Sequence, residues 1–282
     1  MADTTDGAGG QTALWNGNAG QGWVAAQELL DELFAPFEAL LVDAVAAVSK
    51  GSVIDVGCGT GRTTTAVARR LGAGARCTGV DISEPMIAAA RARAEREGTP
   101  AHFIRADAQA HPFEPASVDT IMSRFGVMFF ADPVAAFANL RRAATADAAM
   151  RLLAWRSAAE NPFMTTAERA AAPLLPDLPP RRPDAPGQFA FADDHRVHGI
   201  LADGGWADID IRAIDVACTL PERDLVPYLT RLGPVGQALQ DADEQTKARV
   251  LDAVRPAFDP YVRGAEVRFT AACWMIAARA GR

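Results

Sequence analysis

Apolar residues recur at helical spacing over 23–48, and Pro36 is placed to open a second helix within that stretch. The pattern then changes. Short apolar runs at 52–57, 76–80, 101–106, 118–125 and 150–155 predict strands with little polar alternation, as expected for a sheet covered on both faces. Amphipathic stretches at 63–71, 84–97 and 133–143 fall between them and predict helices, the last opening on Pro133. Strands alternating with helices of about 10–15 residues imply βαβ units and a mainly parallel sheet.

Residues 158–200 interrupt this rhythm. Pro162, Pro173, Pro176, Pro179, Pro180, Pro183 and Pro186 fall here, predicting a helix at 163–175, a Pro-rich crossing and a helix at 193–204. A strand follows at 208–219, then helices within 222–258 and a last strand at 266–278. The first dozen residues are rich in Gly, Thr, Ala and Asp and read as disordered. The expected organisation is a disordered start with an N-terminal helical lid (1–50), a core (51–157), a Pro-rich cap (158–207) and returning core strands (208–282) with a helical cap at 221–259.

Composition narrows the function. With 282 residues the chain has ample core and needs no disulfide staples. It carries 28 basic and 35 acidic residues, a net charge of −7, without the basic footprint of a nucleic-acid binder. Lys50 and Lys247 are the only lysines, and neither sits in a Schiff-base or Walker setting. Cys58, Cys77, Cys218 and Cys273 are too far apart for a metal knuckle or redox pair. The polar N-terminus lacks a signal core, and no run is long enough to span a membrane; the expectation is a cytoplasmic protein without membrane insertion.

The candidate chemistry begins at Val53-Ile54-Asp55-Val56-Gly57-Cys58-Gly59-Thr60-Gly61, a glycine-rich turn after the first strand and before a helix. Such a turn lets a ligand approach backbone N–H groups at the carboxyl edge of a parallel sheet. The dinucleotide fingerprint G-x-G-x-x-G would need glycine where Arg62 stands. Asp81, in Gly79-Val80-Asp81-Ile82-Ser83, ends the second strand 22 positions after Gly59, where an acid can accept from both ribose hydroxyls. Asp107, in Arg105-Ala106-Asp107-Ala108, ends the third, where a carboxylate can accept from an adenine amine. Ser123-Arg124-Phe125-Gly126-Val127-Met128-Phe129-Phe130 ends the fourth beside the same crevice.

With these four segments the chain resembles the class I S-adenosylmethionine-dependent methyltransferases, in the small-molecule group related to the ubiquinone/menaquinone (type 11) enzymes. The resemblance covers about residues 53–155. It implies a Rossmann-like, seven-stranded, mostly parallel α/β sheet whose last strand is antiparallel. It implies S-adenosylmethionine as cofactor. Gly57, Cys58 and Gly59 would then approach the cofactor's amino-acid part, with Asp55 orienting the loop or the ammonium. Asp81 would hold the ribose, Ile82 and Met86 would pack on the adenine, and Asp107 with Ala108 would read its amine. Ser123 and Phe125 would line the sulfonium region. Trp15, Asn16, Gln21, Gly22 and Trp23 resemble the group's lid.

For the acceptor, Phe129, Trp155, Asn161, Phe163 and Met164 lie at or after the relevant strand ends. No triad or metal cluster is evident. His195, His198 and Tyr228 are the candidates for a catalytic group, His195 and His198 sharing a helix face at i, i+3 spacing. The reading is methyl transfer to an O, N or C atom of a small, hydrophobic metabolite by a monomer or homodimer, with no nucleic-acid partner and no metal. Two alternatives remain: an NAD(P)-dependent oxidoreductase, and a non-catalytic protein that binds S-adenosylmethionine or S-adenosylhomocysteine.

Overall fold

A computed structural model describes residues 5–178, 180–182, 185–240 and 242–281. Pro179 and Pro183 of the Pro-rich crossing lie outside the described residues. The main sheet follows the order β3-β2-β1-β4-β5-β8-β6, from β1 (Ser52–Val56), β2 (Arg76–Asp81), β3 (Ala101–Arg105), β4 (Val118–Arg124), β5 (Ala144–Trp155), β6 (Trp206–Pro221) and β8 (Glu266–Ala280). The short β7 (Val262–Arg263) folds back on β8. β1 to β5 are parallel. β8 enters antiparallel between β5 and β6, pairing Trp155 with Cys273 and Pro221 with Glu266. The sheet is thus the Rossmann-like, mostly parallel one expected, with its antiparallel final strand. β6 is longer than its pattern suggested because it is an edge: its outward positions are charged or small (Asp208, Asp210, Arg212, Ala213, Asp215) and only one flank is paired.

Helices α5 (Arg62–Leu71), α6 (Glu84–Glu97) and α7 (Pro133–Ala143) form the crossovers. Their starts are written in the sequence. Ser83 caps α6 by accepting from Met86 N, and Asp132 caps α7 by accepting from Ala135 N; each such cap contributes about 1 kcal/mol. Phe137 of α7 and Ile121, Met122 and Met150 of the sheet are fully buried.

The N-terminus corrects one expectation. The segment read as disordered is helical from Thr5 onward: α1 (Thr5–Asn16) leads into α2 (Asn18–Ala25), α3 (Gln27–Leu33) and α4 (Ala35–Ala46). Tertiary contacts override the weak propensity of this Gly-rich stretch. Ser83 Oγ donates to the Trp15 carbonyl at 2.6 Å. Asn16 Nδ2 donates to the Ile82 carbonyl, and Asn16 Oδ1 accepts from Glu84 N at 2.9 Å. A Cβ on Gly22 would lie 2.6 Å from the Arg231 carbonyl oxygen, so α2 seats closely against α10 (Leu225–Arg231).

The cap comprises α8 (Pro162–Ala171), the segment leading to α9 (Asp194–Asp203), and α10, α11 (Gly233–Gln240) and α12 (Glu244–Val254). α8 stops four residues short of its expected end, ahead of Pro173. Phe163 anchors the cap, stacking on Phe269 of β8 at 3.8 Å and meeting Phe258 edge-on at 5.1 Å.

Candidate cofactor and acceptor site

The carboxyl ends of β1, β2 and β4 face one cavity of about 560 Å³, roofed by the N-terminal helices and walled on its far side by the cap. That size lies within the roughly 300–1,000 Å³ of small-molecule sites.

The glycine-rich turn takes left-handed backbone at Gly57, Gly59 and Gly61 (φ 66°, 55° and 80°). At Gly57 this is obligatory, since a Cβ there would sit 2.6 Å from Gly126 Cα. Asp81 fixes the turn from the neighbouring strand: Oδ2 accepts from Gly59 N at 2.8 Å and Oδ1 from Ser83 N at 2.9 Å. Burial raises the Asp81 pKa, and these backbone donors oppose the rise. Asp107 is held by Gln109 N at 2.9 Å and lines the cavity with Ala108, Ile82 and Met86.

Asp55 is almost completely buried and accepts from Thr64 Oγ1 at 2.7 Å. Burial lifts its pKa from the usual 3.8 to about 7, with Arg124 pulling downward and Asp81 upward. Cys58 also lines the cavity, but burial and the charges of Asp81 and Asp55 push its thiol pKa well up, leaving it a poor nucleophile.

Phe125 adopts φ 65°, rare for a non-glycine residue. Its ring stacks on Trp155 at 4.3 Å with the planes 9° apart. Trp15 meets Phe129 edge-on at 5.1 Å and Trp23 at 6.0 Å, and all three line the cavity. Phe163, Met164 and Tyr228 complete the wall from the cap.

Four expected site residues lie elsewhere. Ser123 is fully buried and bridges two backbone groups, donating to the Val56 carbonyl at 2.6 Å and accepting from Gly126 N at 3.1 Å. It shapes the loops without lining the cavity. Asn161 is likewise consumed: Nδ2 donates to the Ala272 and Ser157 carbonyls, and Oδ1 accepts from Ala272 N. A buried amide so fully paired has nothing left for an acceptor. Asn161→Ala is therefore expected to cost about 2–4 kcal/mol of stability while leaving ligand affinity at the cavity unchanged; paired thermal melts and ligand titrations check this. His195 and His198 are exposed on α9, outside the cavity lining. Among the described residues no three His, Cys, Asp or Glu side chains gather as metal ligands.

Sequence reasoning gave Arg124 no role, although it quoted the segment containing it. The residue lines the cavity, its Nε donates to Thr63 Oγ1 at 2.9 Å, and its guanidinium lies 5.1 Å over the Phe34 ring. A carboxylate ion pair would satisfy it better than this hydroxyl. A cation at the end of a strand beside a glycine-rich turn was the available signal. Glu168 was missed as a lining residue because it comes from a cap segment with no motif, whereas Arg181, read from the sequence as one of a solvated pair that could meet an acidic substrate, does line the cavity.

The comparisons agree with this geometry. Residues 53–147 match the family described as a methyltransferase domain. The chain carries a class I S-adenosylmethionine-dependent methyltransferase domain. An uncharacterized protein of Mycobacterium tuberculosis is 29% identical over 181 residues, spanning 62% of this chain and 61% of that protein. The chain thus aligns with about three-fifths of the length of the first curated relatives it matches. Nocamycin O-methyltransferase of Saccharothrix syringae is 34% identical over 112 residues (39% of this chain, 40% of that one). Demethylmenaquinone methyltransferase of Renibacterium salmoninarum is 27% identical over 184 residues (62% and 75%). The [4+2]-cyclase SpnF shares the fold outside the methyltransferase domain as well, with a TM-score of 0.56 at 16% identity over 93% of this chain and 95% of that one.

The residues present fit the cofactor. Asp55 is the penultimate residue of β1, Asp81 ends β2, Asp107 follows β3, and apolar Ile82 and Met86 lie between the latter two in sequence. Among the described residues no helix is long and apolar enough to cross a membrane.

Proposed function

We propose that the protein transfers the methyl group of S-adenosylmethionine to a nucleophilic O, N or C atom of a small, largely apolar acceptor. The carrying observation is that one cavity joins the cofactor loops to the aromatic cap wall of Phe163, Met164 and Tyr228. The sulfonium supplies an activated methyl group when bound. The chain's own task is then to position the acceptor in line and keep water out.

Asp81 would hold the ribose with the acceptor capacity left over from Gly59 and Ser83. Asp107 would accept from the adenine amine, and Arg124 would pair with the amino-acid carboxylate. Asp55 would face the ammonium. Phe125, Trp155 and Trp23 would surround the reacting methyl with apolar surface. Incubation with methyl-labelled S-adenosylmethionine and a panel of small aromatic alcohols, amines and enolisable ketones tests this. The expected result is label transfer to members of that panel; transfer to tRNA or protein with none to small molecules contradicts it.

The raised Asp55 pKa supplies a pH signature. An ammonium beside it favours the ionised form and draws the pKa down. Ligand binding below about pH 7 therefore expels up to one proton. Affinity for S-adenosylhomocysteine is expected to rise from about pH 5 to 7 and level off above, and Asp55→Asn should flatten the profile. In the free protein the sign is opposite for stability. The contribution of Asp55 is full below 3.8 and is lost as pH rises through about 7. Calorimetric titrations across pH decide the matter, and an equally steep profile in the variant would contradict the assignment.

A further inference from the structure

Among the polar side chains that the cap adds to the cavity lining, beside Gln188 and Gln237, are Glu168, Arg181 and Tyr228. These last three come from α8, from the segment after it and from α10, so the fold brings a distant helix against one neighbouring stretch of chain. Their surroundings are apolar: Phe163, Met164, Leu229 and Phe258 line the same wall.

The hydrogen bonding around these groups is incomplete in a specific way. The Tyr228 hydroxyl is paired with the Met164 thioether at 3.6 Å. Sulfur is a weak acceptor, so this donor stays available to an oxygen entering the cavity. Burial above all, with Cys218 and Glu168 adding to it and Arg181 opposing, raises the Tyr228 pKa, which keeps its proton in place as a donor. Arg181 Nε donates to Glu168 Oε2 at 2.9 Å, and Nη2 donates to Oε1. This fork uses two of the five guanidinium N–H groups and fixes its plane. The Phe189 ring, 4.8 Å away, supports its face. Three N–H donors remain on this partly exposed guanidinium, which lines the same cavity as the tyrosine hydroxyl.

We propose that this wall selects acceptors that carry an acidic oxygen on an apolar ring: Tyr228 Oη and the free N–H groups of Arg181 donate to that oxygen, while Phe163, Leu229 and Phe258 enclose the ring. The proposal rests on the small-molecule methyltransferase reading and names its substrate class. Glu168 acts through Arg181 as a positioning residue. A purely structural strap between α8 and the following segment would contribute to stability but would not distinguish a ring with the oxygen from one without it.

The test uses the full chain saturated with S-adenosylhomocysteine, whose binding is measured first and separately. Tryptophan fluorescence then follows titration with 2-naphthoate and with 2-methylnaphthalene, which share a ring and differ in the acidic oxygen. The wild type is expected to prefer 2-naphthoate by at least about tenfold, the effect of hydrogen bonding to a charged group. Tyr228→Phe keeps the ring contact and removes the donor. It and Arg181→Met should each reduce that preference about tenfold while leaving 2-methylnaphthalene and S-adenosylhomocysteine affinities unchanged. Equal wild-type affinity for the two probes overturns the proposal. So does binding of neither probe, or an equal loss for both in the variants. Failure of S-adenosylhomocysteine itself to bind removes the methyltransferase reading beneath it, a distinct outcome.

Discussion

Asp81→Ala is expected to weaken S-adenosylhomocysteine binding by about 30- to 700-fold, the equivalent of about 2–4 kcal/mol for hydrogen bonds to a charged acceptor. Two effects combine. The variant removes the acceptor for the ribose hydroxyls, and it leaves Gly59 N and Ser83 N without the oxygens that now hold them at 2.8 and 2.9 Å. Asp81→Asn separates the two, because it keeps one oxygen for the loop while changing the charge presented to the ligand. Calorimetry on both variants is the check, with the asparagine variant intermediate. An alanine variant within threefold of wild type would mean that the ribose does not lie on this carboxylate.

Gly57→Ala is expected to damage both the fold and the site. Its backbone lies at φ 66°, where an L side chain costs about 1–2 kcal/mol. The added Cβ would stand 2.6 Å from Gly126 Cα, so β1 and the segment after β4 cannot keep their present approach. Relief has to come from backbone movement, and overpacking of this kind adds about 1–3 kcal/mol. The melting temperature should fall by about 5–15 °C. S-adenosylhomocysteine affinity should drop by more than about 100-fold, because the amide donors of the loop shift together. A differential scanning and titration pair reads both quantities. Wild-type values for the alanine variant would show that this approach is not required.

The sequence made the cofactor half of the cavity legible because its determinants are local. A strand, a glycine-rich turn and a helix start occupy ten consecutive residues, and Asp81 and Asp107 each follow or end their own strands. Strand pairing then brings Asp55, Asp81 and Asp107 to the same edge of the sheet. The acceptor half was less legible, since Glu168, Arg181 and Tyr228 meet only through cap packing. Ser123 lies near the end of β4 and Asn161 just ahead of α8, and both were expected to face ligands. Their polar atoms are instead spent on backbone groups that folding would otherwise leave buried and unpaired, a demand invisible until the loops are seen. The N-terminal segment failed for a different reason. Its glycines argue against a helix locally, yet Gly22 is what lets α2 seat against α10, and Asn16 pins the roof to the loop after β2. Small residues that read as disorder are here the means of close packing.

Arg124 and Asp55 act on each other electrostatically. Both line the cavity from the adjacent strands β1 and β4, and under the proposed function they would meet the ammonium and carboxylate of the cofactor's amino-acid portion. Neither charge is spent on the other through a direct contact: Asp55 is held by Thr64 and Arg124 by Thr63. Successive threonines at the start of α5 thus keep both groups oriented toward the cavity side of the turn.

Equilibrium titration of the wild-type protein, near pH 7.5, with S-adenosylhomocysteine and, separately, with NAD and NADH decides which adenosyl ligand the cavity takes. The expected result is saturable one-to-one binding of S-adenosylhomocysteine with a dissociation constant in the micromolar range and none of comparable strength for either nicotinamide. Binding of NADH in its place, or of no adenosyl ligand at all, would contradict it.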